Sequence, residues 1–347
     1  MMLQMLPMLA FADDAPDAYE VKIDGKEGSY AKLVDAVKAA SSGDTIILGE
    51  GNYTLYDIKS DDTPKGKNLT FVGQGSDKTT WYIGAKVPDP NLLGTEYNGD
   101  YSFDGAGTVT FKNMTLSSGN ANYLGFIRAN NTVVDHCVIN GKTFYWGYES
   151  AKFINTTFNA PSGDYAIWTY SSPTMIFDNC TFNTTGKAVN VYTDFSAGKH
   201  DITVYFNNCT VNSSILNKQA LNINDSNMRP YKYIIHIDNP QTIDAALSNT
   251  TCSQLFGFKE DKSTGFTGNT GYTDVYLNGD LVWTNGKMKT HSYTVGEKED
   301  AYEITGRSDW TPSVERVDEC EVTKTCKYCG WTKKELEHAS VYRLQYN

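Results

Sequence analysis

Four residues near the C-terminus have the types and spacing of a metal site: Cys320, Cys326, Cys329 and His338, in the pattern Cys-x5-Cys-x2-Cys-Gly-x7-His. A Cys-x2-Cys turn presents two thiolates to one ion, Gly330 lets the backbone fold around it, and a third Cys with a His completes a tetrahedral set for structural zinc. The same thiols admit a second chemistry if the chain is exported: Cys320 pairs with Cys326 or Cys329 in a disulfide and one thiol is left over. His291 is a spare candidate ligand, and reads more simply as an ordinary surface histidine.

A second group of residues is suited to holding a ligand. The segments Ala166-Ile-Trp-Thr-Tyr170, Ala188-Val-Asn-Val-Tyr192 and Ala220-Leu-Asn-Ile-Asn224 align, with Ile167, Val189 and Leu221 inward. Alternation then sends Trp168, Asn190 and Asn222 outward, followed by Tyr170, Tyr192 and Asn224. Aromatic faces offer sugar rings apolar contact, while amides and the nearby carboxylate of Asp164 bond their hydroxyls. Tyr145 and Trp146, one turn earlier, extend the stripe. The plainer alternative is that these side chains pair across strands and cover a sheet.

What positions such a stripe is a repeat. One phrase recurs five times: Phe111-Lys-Asn-Met-Thr-Leu-Ser117, Val134-Asp-His-Cys-Val-Ile-Asn140, Phe153-Ile-Asn-Thr-Thr-Phe-Asn159, Phe177-Asp-Asn-Cys-Thr-Phe-Asn183 and Phe206-Asn-Asn-Cys-Thr-Val-Asn212. Its third position steps from 113 to 136, 155, 179 and 208, intervals of 23, 19, 24 and 29 residues. These are solenoid periods. Each copy alternates apolar with polar residues, a strand pattern, with no helical period and no hairpin dipeptide to reverse the chain. The expectation is all-β: a right-handed single-stranded parallel β-helix, its turns stacked about 4.8 Å apart.

Stacking assigns the letters. Phe111, Val134, Phe153, Phe177 and Phe206 form one internal column, and Leu116, Ile139, Phe158, Phe182 and Val211 a second. Asn113, Asn155, Asn179 and Asn208 sit where the chain bends, because Asn tolerates left-handed geometry and its amide bonds to those above and below. His136 interrupts that ladder. Their Asn-x-Thr triplets follow from the repeat rather than from glycosylation. Cys137, Cys180 and Cys209 share a register and read as small buried thiols.

Residues 1–12, apolar and ending in Ala10-x-Ala12, read as the remnant of a secretory signal. Residues 13–248 are assigned to the β-helix, 249–273, rich in Gly, Thr, Ser and Asn, to a linker, and 274–347 to a small C-terminal β module. Residues 29–40 carry apolar positions at helical spacing with Ser29 as cap, a helix to cover the first turn of the stack. A loop around residues 86–100 leaves the stack. Asp274 to Trp283 reads as a hairpin turning at Asn278-Gly279. No other segment approaches the length of a membrane span. The 347 residues carry a net charge of −11, which argues against nucleic acid as partner. An extracellular or cell-surface location follows from the signal remnant.

These residues resemble a known group. The run from Leu33 through Gly43-Asp-Thr-Ile-Ile-Leu to Gly51-Asn-Tyr53 looks like the start of the pectate-lyase-like right-handed β-helix superfamily, and of pectin methylesterases within it. The likeness covers about residues 30 to 215. Phe126 to Gly141 is similar to the esterase segment that precedes a catalytic Gln-Asp-Thr, although Lys142-Thr143-Phe144 stands in that place here. Gly163-Asp164-Tyr-Ala-Ile-Trp168 is similar to the strand bearing the nucleophilic Asp, so the resemblance implies Asp164 as a catalytic residue. The family's general acid and downstream arginine have no counterpart, and half the mechanism is missing without them. The C-terminal Cys segment resembles small modules at the ends of surface proteins of gut Firmicutes. Two functions stay open: a non-catalytic exported protein binding polysaccharide or a cell-surface glycan, and a divergent carbohydrate-active enzyme, esterase or lyase, working near Asp164.

Overall fold

The computed structural model describes residues 20–54, 64–82, 103, 105–117, 127–144, 146–160, 165–169, 172–184, 186–192, 201–213, 220–224, 232–241, 256–258, 273–284, 287–288, 302–311, 317–326 and 332–340. The repeated phrase is a strand, a one-residue bend and a second strand. In Ser150–Ile154, Ala151 and Phe153 are buried, and in Thr157–Ala160, Phe158 and Ala160. Asn155 between them has φ of 47°, in the left-handed region that Asn enters more readily than most L-residues. Asn113, His136, Asn179, Asn208 and Asn239 share that conformation, with φ between 45° and 54°. The side chain of Asn179 donates to Asn155 Oδ1 at 2.6 Å, and that of Asn239 to Asn208 Oδ1 at 2.8 Å. His136 keeps the bend but bonds sideways, Nδ1 to Asp135 Oδ1 at 2.6 Å.

After each bend the chain moves to another sheet. Ser150–Ile154, Thr157–Ala160 and Tyr165–Trp168 lie in three different sheets. Thr174–Asp178, Thr181–Thr184 and Lys187–Tyr192 visit them again in the same order, as do Ile202–Asn207, Thr210–Ser213 and Leu221–Asn224. Each strand is parallel to its counterpart one turn away. Among the described residues the three sheets have twelve, seven and five strands. This all-β stack is compatible with a parallel β-helix.

The interior consists of the expected columns, extended at both ends. Phe71, Phe111, Val134, Phe153, Phe177, Phe206 and Ile237 are in register in the first sheet. Trp81, Leu116, Ile139, Phe158, Phe182 and Val211 are in register in the second. All are buried. Phe153 and Phe177 stack at 5.2 Å between centroids, as do Phe158 and Phe182 at 4.6 Å. Cys137, Cys180 and Cys209 are free, buried thiols at the corner after the bends at His136, Asn179 and Asn208. Cys209 Sγ lies 3.2 Å from the carbonyl of Asn207 and 3.6 Å from that of Phe177. Thr156 occupies the same corner and donates to the carbonyls of Ile154 and Val134. After Asn113 the buried Met114 occupies the same corner with no donor.

Both ends of the first sheet are closed antiparallel. Val21–Ile23 pairs with Thr45–Leu48, and helix Leu33–Ala39 lays Leu33, Ala36 and Val37 into the core. Ser29 is not its cap. Lys32 holds that position without a side-chain bond, and the Ser29 hydroxyl donates to Glu20 at 2.7 Å. At the other end Thr273–Leu277 adds to the first sheet beside Tyr233–Asp238 and turns back into Asp280–Thr284. Asn278 and Gly279, with φ of 50° and 85°, supply the expected turn. This hairpin, assigned from the sequence to the C-terminal module, therefore belongs to the stack. Phe256–Phe258, inside the stretch read as a linker, pairs with Leu221–Ile223 in the third sheet. The signal remnant and the 86–100 loop lie outside the described residues.

A separate antiparallel sheet joins Tyr302–Arg307, Val317–Cys326 and Thr332–Ser340. Cys320 and Val322 are buried there, and the cross-strand ion pairs Arg307–Glu337 and Lys324–Glu335, both 2.6 Å, flank them.

Candidate functional site

The third sheet aligns the sequence stripe as its spacing requires. Trp168 pairs with Asn190 and Asn190 with Asn222, while Ile167, Val189 and Leu221 form the buried row beside them. Trp168 is half-buried. Its ring lies 4.9 Å from that of Tyr165, tilted by 33°, and Lys142 Nζ sits 5.2 Å above the Tyr165 ring, a cation–π distance. Ala166, Ala188 and Ala220 each precede an inward residue and so share the outer side with Trp168. All three are buried. The outer side of this sheet is thus enclosed over the alanines and Asn190, and partly accessible at Trp168.

Two members of the stripe do not serve as surface contacts. Trp146 is 0 % exposed: its Nε1 donates to Thr143 Oγ1 at 2.9 Å and its ring packs edge-on against Phe153 at 5.2 Å. It fills the core because its indole N–H finds an internal partner there. Asn190 is 3 % exposed, so its amide is turned away from solvent. Tyr145, Asp164 and Tyr170 lie outside the described residues, and for Tyr192 and Asn222 only the backbone is described. Tyr165 was not singled out from the sequence, although its position three residues before Trp168 was visible.

Among the described residues, Cys320, His338 and the backbone of Cys326 do not converge. Cys320 and Cys326 lie six residues apart in one extended strand, a separation of about 20 Å at roughly 3.3 Å per residue. Zinc–sulfur bonds of about 2.3 Å cannot span that distance. His338 pairs with Glu319 and Cys320 with Glu337, so neighbouring pairs point to opposite faces of the sheet. His338 Nδ1 lies 3.3 Å from Glu319, and Arg307 donates to Cys320 Sγ at 3.3 Å. Cys329 and the Cys326 side chain fall outside the described residues. Among the described residues no three His, Cys, Asp or Glu side chains gather as a metal site. No helix among them is long and apolar enough to cross a membrane.

No family model, curated protein or solved structure matches the chain.

Proposed function

We propose that the chain is an exported, right-handed single-stranded parallel β-helix that resembles the pectate-lyase-like group and binds a cell-surface or polymeric glycan without turning it over. The observation that carries this reading is the half-buried Trp168 ring, braced by Tyr165 and by Lys142 on the Tyr165 face. A ring held in place and partly accessible beside an enclosed sheet face binds a pyranose with little ordering cost. A second reading, a divergent esterase or lyase, draws on Asp164, which directly precedes Tyr165 in the chain.

The test is retention on a glycan array followed by titration of the best glycan. Trp168→Ala should weaken binding by about 1–3 kcal/mol, roughly five- to 150-fold in Kd. Equal affinity in the two proteins would move the binding site elsewhere.

A further inference from the structure

The second sheet carries a face of different chemistry. Across its last four strands the outward positions form two columns: Val138, Thr157, Thr181 and Thr210, and beside them Asn140, Asn159, Asn183 and Asn212. None of the eight is charged, in a chain of net charge −11. The outward positions of the first sheet over the same turns hold Asp135, Lys152 and Asp178. The array repeats about every 4.8 Å along the stack and about 6.7 Å across it.

Its hydrogen-bonding capacity is only partly used. Asn159 donates to Asn140 at 2.9 Å, Asn183 to Asn159 at 2.8 Å and Asn212 to Asn183 at 2.8 Å. An amide has two donors and two lone pairs, so each Asn keeps capacity beyond the ladder. Asn183 and Asn212 are exposed, and the other six residues are partly exposed. The hydroxyls of Thr157, Thr181 and Thr210 enter no hydrogen bond among the described residues.

We propose that this face binds an uncharged polysaccharide laid along the stack. A protein partner buries aromatic or aliphatic anchors in an apolar patch centre, and this face offers only Val138, at its edge. A nucleic acid or a polyanion needs cations, and a polycation needs carboxylates. A neutral polymer of hydroxyls matches a rigid, neutral lattice of amides and hydroxyls, and many weak bonds in register add up along one chain. This surface is separate from the one around Trp168 and does not depend on it.

The probes are glucomannan, xyloglucan and hydroxyethyl cellulose in affinity electrophoresis, with polygalacturonate as the charged control. The variants are Thr157→Val/Thr181→Val/Thr210→Val, which removes hydroxyls while keeping β-branched residues, Thr181→Glu, and Trp168→Ala. At least one neutral polymer should retard the native protein and Trp168→Ala equally, with retention falling at least tenfold in the triple Val variant and in Thr181→Glu. Should Thr181→Glu misfold, the Val variant decides alone. The proposal fails if no neutral polymer retards the protein, if retention survives the Val variant, or if only Trp168→Ala abolishes it. It fails equally if Thr181→Glu abolishes concentration-dependent dimers in sedimentation while no polymer binds, since the face then joins two copies.

Discussion

At the scale of single residues, the corner thiols show how burial governs chemistry. Burial, as the largest cause, pushes the Cys137 thiol up to about 12 from 9.0. Cys209 is raised by burial and then by the adjacent Cys180. A folded state that holds its thiol protons longer than the unfolded chain does is favoured below pH 9. It loses that advantage between about pH 9 and 12, by roughly 1.4 kcal/mol per pH unit and thiol. Denaturant midpoints measured from pH 8 to 11 should therefore fall, and fall less in Cys137→Ser. Ser fits because Thr156 already places a hydroxyl in the same corner. An unchanged alkaline slope in Cys137→Ser would show that this thiol is not the group responsible.

At the scale of elements, stability resides in columns rather than in single strands. Phe177 touches Phe153, Phe158, Phe182 and Phe206, with centroids 5.2 to 6.2 Å away. Phe177→Ala should cost about 3–5 kcal/mol, read from chemical unfolding. A loss below 1 kcal/mol would mean that the column collapses around the gap. These elements were legible in the sequence because an inward Phe, a left-handed Asn and a second inward residue recur at fixed offsets, and each letter has one physical role. Trp146 was not legible. A lone Trp outside the phrase has no register, and only the fold shows that Thr143 receives its N–H inside. The hairpin after Thr273 was legible as a hairpin but not as the stack's last strand, since partner choice in a sheet depends on contacts distant in sequence. Asn140, Asn159, Asn183 and Asn212 ended four copies of the phrase in plain sight. Their ladder became visible only once the turns were stacked.

At the scale of the whole molecule, a stack whose first sheet is closed at both ends is followed by a sheet of different composition, rich in cross-strand ion pairs. Its extended strand separates Cys320 from Cys326, so Cys320→Ser should leave the zinc content measured by elemental analysis unchanged. A fall of one equivalent would require the strand to be rebuilt around a metal. The proposed function is binding without turnover, and the most direct measurement is product release from pectin, as methanol and as unsaturated uronate, by the native protein and Asp164→Ala. Binding without turnover predicts no release above the buffer rate from either protein, with glycan retention by Asp164→Ala nearly unaltered. Release by the native protein that disappears in Asp164→Ala would contradict it and establish an enzyme.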